Sequence, residues 1–277
     1  MSQVWAEAPS PLPMASGSGC GSCSLRQASS LTTPGVPGPD NITVALAGNP
    51  NTGKSTVFNA LTGLRQHVGN WPGSTVSRAE GSYEFLGRAF TVVDLPGTYS
   101  LLSTSHDEDV ARDFLLFGDP QVTVVVVDAT RLQRNLTLVL QVLQITGRAV
   151  VALNLMDEAS RHGIEVDVRH LTRELGVPVV AMSARRGEGV PELLRQISDV
   201  GCGVRPAAPV RTQRLPSAVA QAADELAARL LEEFPGLPNT RWLALRLLEG
   251  DRGTQKAVED GRYRDVSRQL TTARSLA

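Results

Sequence analysis

From residue 42 to about residue 200, short apolar runs alternate with stretches whose apolar residues fall three and four apart. The runs Ile42 to Ala47, Ala89 to Val93, Val122 to Val127, Arg148 to Leu153 and Pro178 to Met182 are of strand length. They are near-continuous rather than alternating, as strands buried on both faces of a parallel sheet are. Val57, Phe58, Ala60 and Leu61 carry helical spacing, and Asp107-Glu108-Asp109 ahead of Val110-Ala111 reads as the acidic first turn of another helix. Strand and helix in alternation predict an α/β fold, a mostly parallel sheet with helices on both faces. A ligand would then sit at the carboxyl ends of the strands. Beyond residue 205 the pattern is helical throughout. Val219, Ala223, Leu226, Ala227, Leu230 and Leu231 share one face, and Leu243, Ala244, Leu247 and Leu248 share another, with Pro235-Gly236-Leu237-Pro238 as the break between them. A third, mostly polar helix is expected from Thr254 to about Leu276. Residues 1–40 are rich in Ser, Pro and Gly and lack periodicity, which predicts a disordered tail. The expected organisation is a tail (1–40), an α/β domain (41–204) and a small all-helical domain (205–277).

The chemistry begins where the first strand ends. Gly48-Asn49-Pro50-Asn51-Thr52-Gly53-Lys54-Ser55-Thr56 is a complete phosphate-binding loop between a strand and a helix. Its two glycines let the main chain wrap a triphosphate with N–H groups, Lys54 reaches the outer phosphates, and the Ser55 hydroxyl can ligate Mg²⁺. The phosphates would lie at a helix N-terminus, where the dipole favours anions. Asp94-Leu95-Pro96-Gly97 closes a later strand; Asp94 can hold Mg²⁺ through water, and Gly97 can offer its N–H to the terminal phosphate. A Pro-Gly turn after a strand describes the same residues. Val68 to Val76, polar and glycine-rich, is too irregular for a helix and reads as a switch loop. Within it Gly73 and Ser74 approach the nucleotide, and Thr75 meets Mg²⁺ and the terminal phosphate; the plainer alternative is a tight turn around a half-buried Trp71.

Base specificity falls to Asn154-Leu155-Met156-Asp157, at the end of another strand. A carboxylate there can accept both donors of the guanine edge, and a wrong base would leave buried polar groups unpaired. Taken alone, Asn-x-x-Asp equally describes a turn or a helix cap. Its place after the phosphate loop and Asp94, and before Ser183-Ala184, follows the order used by guanine-nucleotide proteins of the Ras-like superfamily. Main-chain N–H groups at Ser183-Ala184 would back the guanine carbonyl.

With these motifs in this order, the chain resembles the cytoplasmic GTPase domain of the bacterial ferrous iron transporter FeoB family. Gly69-Asn70-Trp71-Pro72-Gly73 and Asp94-Leu95-Pro96-Gly97-Thr98-Tyr99-Ser100-Leu101 carry the likeness most specifically, over about residues 42 to 198. The resemblance implies a Ras-like P-loop GTPase fold that binds GTP or GDP with Mg²⁺. It also implies that Asn51 helps hold a K⁺ ion in place of an arginine finger, so that hydrolysis is K⁺-stimulated. Thr98 stands where Ras-type enzymes carry a water-orienting glutamine, which implies slow turnover. Leu155 stands where most such proteins have lysine, so modest affinity and faster release are expected. In the family a helical domain follows the GTPase, couples it to a membrane-embedded permease and slows GDP loss. Self-association through the transporter and small cytosolic Feo accessory proteins as partners are implied likewise. The resemblance places the chain on the cytoplasmic side of the bacterial inner membrane, regulating Fe²⁺ uptake.

Composition narrows the rivals. At 277 residues and 42% apolar content, one sizeable core and a small second domain can be buried. A formal net charge of −1 offers no broad basic surface, which argues against nucleic acid and so against a ribosome- or RNA-associated GTPase. A non-hydrolysing GTP/GDP sensor stays compatible with the motifs. No run of eighteen apolar residues occurs, so a membrane span is not expected in this chain. Because transport in the resembled family needs a membrane domain, the resemblance implies the soluble N-terminal portion of a longer transporter, in preference to a free-standing relative. The tail lacks the form of a secretory signal. Cys20 and Cys23 have the spacing of half a metal or redox site, or are an idle pair, and three cysteines in all do not make a disulfide framework. The four histidines are scattered and read as surface or packing residues.

Overall fold

The computed structural model describes residues 41–63, 66–71, 76–102, 105–209 and 215–275. The tail with Cys20 and Cys23, and the switch residues Gly73, Ser74 and Thr75, lie outside the described residues. In chain order the elements are β1 (Asn41–Gly48), α1 (Lys54–Thr62), β2 (Gln66–Asn70), β3 (Ser77–Phe85), β4 (Arg88–Asp94), α2 (His106–Phe117), β5 (Val122–Asp128) and α3 (Leu132–Leu143). There follow β6 (Ala149–Asn154), α4 (Met156–Arg161), α5 (Val168–Leu175), β7 (Val179–Ala181) and α6 (Val190–Gly201). Four helices complete the chain: α7 (Ser217–Glu233), α8 (Thr240–Leu248), α9 (Arg252–Glu259) and α10 (Arg262–Ser275).

Seven strands form one sheet in the order β2-β3-β4-β1-β5-β6-β7. β4, β1, β5, β6 and β7 run parallel, while β2 and β3 pair antiparallel. The continuous apolar runs have a direct cause. Every residue of β5 and β6 is buried, and alternate residues enter different cores. Ala45, Ala47, Val125, Val127, Val151 and Leu153 face α2, α3 and α5. Val44, Leu46, Val124, Val126, Val150 and Ala152 face α1 and α6 through Val57, Phe58, Leu193 and Ile197. Helices therefore cover both faces, as the sequence predicts.

Two expectations are corrected. Residues 68–70 of the expected switch loop belong to β2, paired antiparallel to β3, and Trp71 closes the hairpin by donating its N–H to the Val76 carbonyl at 2.9 Å. Trp71 is buried, edge-on to Phe114 of α2 with ring centroids 5.3 Å apart, and the Arg78 guanidinium covers its ring at 4.8 Å. The expected third C-terminal helix is two, α9 and α10, because Gly261 takes a left-handed φ of 71° between them. The acidic turn of α2 stands as expected, with Ser105 Oγ accepting from the Glu108 N–H at 3.3 Å as its cap.

The described residues lie in one compact unit. Phe114 and Leu115 of α2 share a continuous core with Leu230, Phe234, Trp242, Leu243 and Tyr263 of the C-terminal region. Polar contacts join the same elements. Arg112, fully buried, pairs with Asp109 at 3.0 Å and Asp113 at 2.9 Å, and Arg262 of α10 reaches Asp113 at 3.5 Å. Burial pushes the Asp113 carboxyl above its ordinary range, against the pull of Arg112 and Arg262. Arg112→Met removes the main counter-charge and leaves the half-buried Asp113 with Arg262 opposite it. The expected loss is about 2–3 kcal/mol, below that of a fully enclosed pair since Asp113 stays partly exposed, measured by urea denaturation.

Candidate functional site

The phosphate loop is shaped by two close approaches. A Cβ on Gly48 would lie 2.8 Å from the Val126 carbonyl oxygen of β5, and one on Gly53 would lie 2.4 Å from Nδ2 of Asn154. Gly53 also takes φ 79°, a left-handed conformation that costs glycine little. Asn51 shares that region at φ 65°, where asparagine is tolerated better than most side chains. The Asn51 side chain is exposed, whereas Asn49 and Thr52 are buried. Thr52 Oγ1 donates to the Asn49 carbonyl at 2.9 Å and closes the loop on itself.

The Asn154–Asp157 motif joins the phosphate loop. Asn154, 1% exposed, donates from Nδ2 to the Thr52 carbonyl at 2.9 Å and accepts at Oδ1 from the Ala184 N–H at 3.0 Å. One amide thereby ties the phosphate loop to the loop after β7. Leu155, at φ 63°, turns the chain so that Asp157 enters α4 beside Ser183. Ser183 Oγ donates to Asp157 Oδ1 at 2.9 Å, and Arg186 and Arg161 stand 3.6 and 3.7 Å from Oδ2. The Ser183 hydroxyl, with Arg186 and Arg161 behind it, holds the Asp157 carboxyl below the usual carboxylate range. The side chains of Ser183 and Arg186 escaped the sequence reading, which gave Ser183-Ala184 main-chain roles only. Arg185-Arg186 directly after that dipeptide was the available signal.

The Asp94–Gly97 motif lies against the phosphate loop. Leu95 donates to the Leu46 carbonyl at 3.0 Å and Thr98 to the Gly48 carbonyl at 3.2 Å, so the chain follows the edge of the phosphate loop. A Cβ on Gly97 would touch Pro50 at 3.5 Å, which places Gly97 directly over the loop. Pro96 sits between them in the chain. Lys54 Nζ is paired with the Asp94 carboxylate. Burial raises the Asp94 pKa, and Lys54 opposes that rise. Ser55 and Thr56 begin α1 with their side chains exposed at the mouth. The structure thus brings together Gly48 to Thr56, Asp94 to Gly97, Asn154, Leu155, Asp157, Ser183 and Ala184.

This donor set fits a Mg²⁺ nucleotide. Ser55 and Asp94 are hard oxygen ligands of the kind Mg²⁺ takes beside phosphate oxygens and water. Among the described residues no three His, Cys, Asp or Glu side chains come together, so such an ion would depend on nucleotide oxygens to fill its shell. The buried Asn49 amide makes no hydrogen bond, which favours closure of the loop on a ligand that supplies one.

A family model described as ferrous iron transport protein B matches residues 42–197. The Fe(2+) transporter FeoB of Salmonella typhimurium is 42% identical over 214 residues, 76% of this chain. The chain belongs to the FeoB family. It spans only 27% of that relative, the cytosolic part among solved structures. The cytosolic domain of L. pneumophila FeoB superposes with a TM-score of 0.71 at 32% identity, covering 82% of this chain and 88% of that one. The cytosolic domain of the T. maritima FeoB iron transporter in its GMPPNP form gives 0.69 at 34% identity, covering 84% of this chain and 94% of that one. The FeoB fold thus includes the helical region as well as the sheet. Among the described residues no helix is long and apolar enough to cross a membrane.

If the Ser183 hydroxyl is the main cause of the low Asp157 pKa, Ser183→Ala returns it toward the ordinary 3.8. A carboxyl NMR titration of the free protein reads this directly. The folded pKa being depressed, the charge persists above it and is lost as pH falls through it, so the variant loses its Asp157 charge at a higher pH than the parent.

Proposed function

We propose that this chain is a GTP-binding and slowly GTP-hydrolysing domain on the cytoplasmic side of a bacterial ferrous iron transporter, regulating Fe²⁺ uptake through a membrane-embedded permease. Residues 41–204 serve as the G domain, and residues 205–277 as the helical domain that links it to the permease. The observation that carries the reading is the Asn154 junction, which sets a phosphate loop and a guanine-accepting carboxylate at fixed separation. The relatives support it: solved FeoB domains from T. maritima are described in GDP and GMPPNP forms.

In this reading the loop N–H groups from Asn51 to Thr56 cradle the β and γ phosphates, and Lys54 leaves Asp94 to meet them. Asp94, freed of Lys54, and Ser55 would hold Mg²⁺ together with Thr75, and the ion would supply neutralisation of phosphate charge when bound. The Gly97 N–H meets the terminal phosphate, and Gly73 and Ser74 complete the enclosure. Asp157 accepts from the guanine ring N–H and exocyclic amine, and the main chain at Ser183-Ala184 backs the carbonyl. Leu155 packs on the base where a lysine stem would otherwise lie. Asn51, exposed at the mouth with its left-handed backbone, offers a carboxamide oxygen to K⁺, a cation that stabilises charge developing in the transition state. Thr98 stands where Ras-type enzymes carry a catalytic glutamine, and it is buried and bonded through its N–H to the Gly48 carbonyl. Turnover without help is slow for that reason.

Phosphate release in K⁺ and in Na⁺ tests the reading. Hydrolysis in K⁺ is expected to exceed that in Na⁺ by on the order of 10-fold or more, and Asn51→Ala is expected to abolish the difference. Equal rates in both salts refute the K⁺ role, and no hydrolysis in either favours a nucleotide sensor.

A further inference from the structure

After Thr98 the chain leaves the edge of the phosphate loop and runs toward α2 without pairing in the sheet. What holds it there comes from α3. Gln141 accepts at Oε1 from the Leu101 N–H at 2.8 Å and donates from Nε2 to Ser100 Oγ at 3.1 Å. One planar amide grips two consecutive residues, forty positions away in the chain. Two turns earlier on α3, the Arg134 guanidinium lies 4.2 Å from the centroid of the Tyr99 ring. Leu101 is 1% exposed, so its main-chain donor has little water to turn to if Gln141 is removed. α3 is itself fixed, since Leu138, Val139 and Val142 are buried against the sheet.

Gly97 lies in a segment fixed at three points: Leu95 is bonded to β1, Thr98 to the Gly48 carbonyl, and Leu101 to α3. Its N–H can meet a terminal phosphate only in a direction that these contacts set together. A glutamine on a solvent-facing stripe would spend its amide on water; this one spends both ends on the segment that follows Asp94–Gly97. We infer that Gln141 is a positioning residue for the terminal phosphate, holding the Gly97 segment so that the protein distinguishes a nucleoside triphosphate from a diphosphate. The inference rests on reading Gly97 as a ligand of that phosphate. GDP, lacking the phosphate, does not draw on this contact.

The test is titration of the folded protein with GMPPNP and with GDP, both with Mg²⁺, for the parent, Gln141→Leu and Gln141→Glu. Gln141→Leu is expected to lower GMPPNP affinity about fivefold to tenfold, the effect of losing one or two buried hydrogen bonds. GDP affinity is expected to stay within about twofold, which also shows that the variant is folded. Gln141→Glu keeps an acceptor for the Leu101 N–H and can accept from the Ser100 hydroxyl, so it is expected to bind GMPPNP as the parent does. Equal losses for both nucleotides assign Gln141 a structural role and overturn the inference, as does an unchanged GMPPNP affinity in Gln141→Leu. Failure of the parent to bind either nucleotide refutes the proposed function itself, and the inference with it.

Discussion

The site depends on one buried amide. Asn154 sits at the end of β6, 1% exposed, with its donor spent on the phosphate loop and its acceptor on the loop after β7. A side chain so placed cannot rotate without orphaning two polar groups in a dry interior, at about 1–3 kcal/mol each. Gly53 is bare so that this amide can pass, since a methyl group there would meet Nδ2 at 2.4 Å. The glycine of the phosphate loop and the asparagine of the base motif are therefore one feature, two residues shaped to each other across the sheet.

From that junction the rest of the site follows. β1, β4, β5 and β6 run parallel and in register, so their carboxyl ends deliver Gly48, Asp94, Asp128 and Asn154 to one edge. Asp128 is spent locally, capping a turn by accepting from the Thr130 N–H at 2.8 Å and hydroxyl at 2.7 Å, which leaves the other strand ends for the ligand. Lys54 and Asp94 neutralise each other across the mouth. Each has a different partner in the proposed nucleotide complex, so binding exchanges one internal ion pair for two charge-assisted contacts.

Much of this was legible in the chain. Strands buried on both faces leave continuous apolar runs, and β1, β5 and β6 could be read from Ile42, Val122 and Ala149 onward. The motif residues at their ends were legible for the same reason. β2 and β3 were not: Gln66-His67-Val68-Gly69-Asn70 is polar, sits at the sheet edge, and exists as a strand through its ladder to β3 rather than through burial. The split between α9 and α10 was missed because a polar helix has no apolar stripe to interrupt, although Gly261 marked the place. The double role of Asn154 and the grip of Gln141 on Ser100 and Leu101 were out of reach. Their partners lie tens of residues away, and only the folded sheet brings them within 3.1 Å.

Asn154 thus makes the phosphate loop and the base loop one cooperative element. Amide hydrogen exchange of the nucleotide-free protein, compared with Asn154→Ala, reads this coupling. With the loops coupled, protection falls together at residues 49–56 and 182–186, by about tenfold or more, while β5 keeps its own. Loss of protection in one of the two loops alone, or in neither, contradicts it.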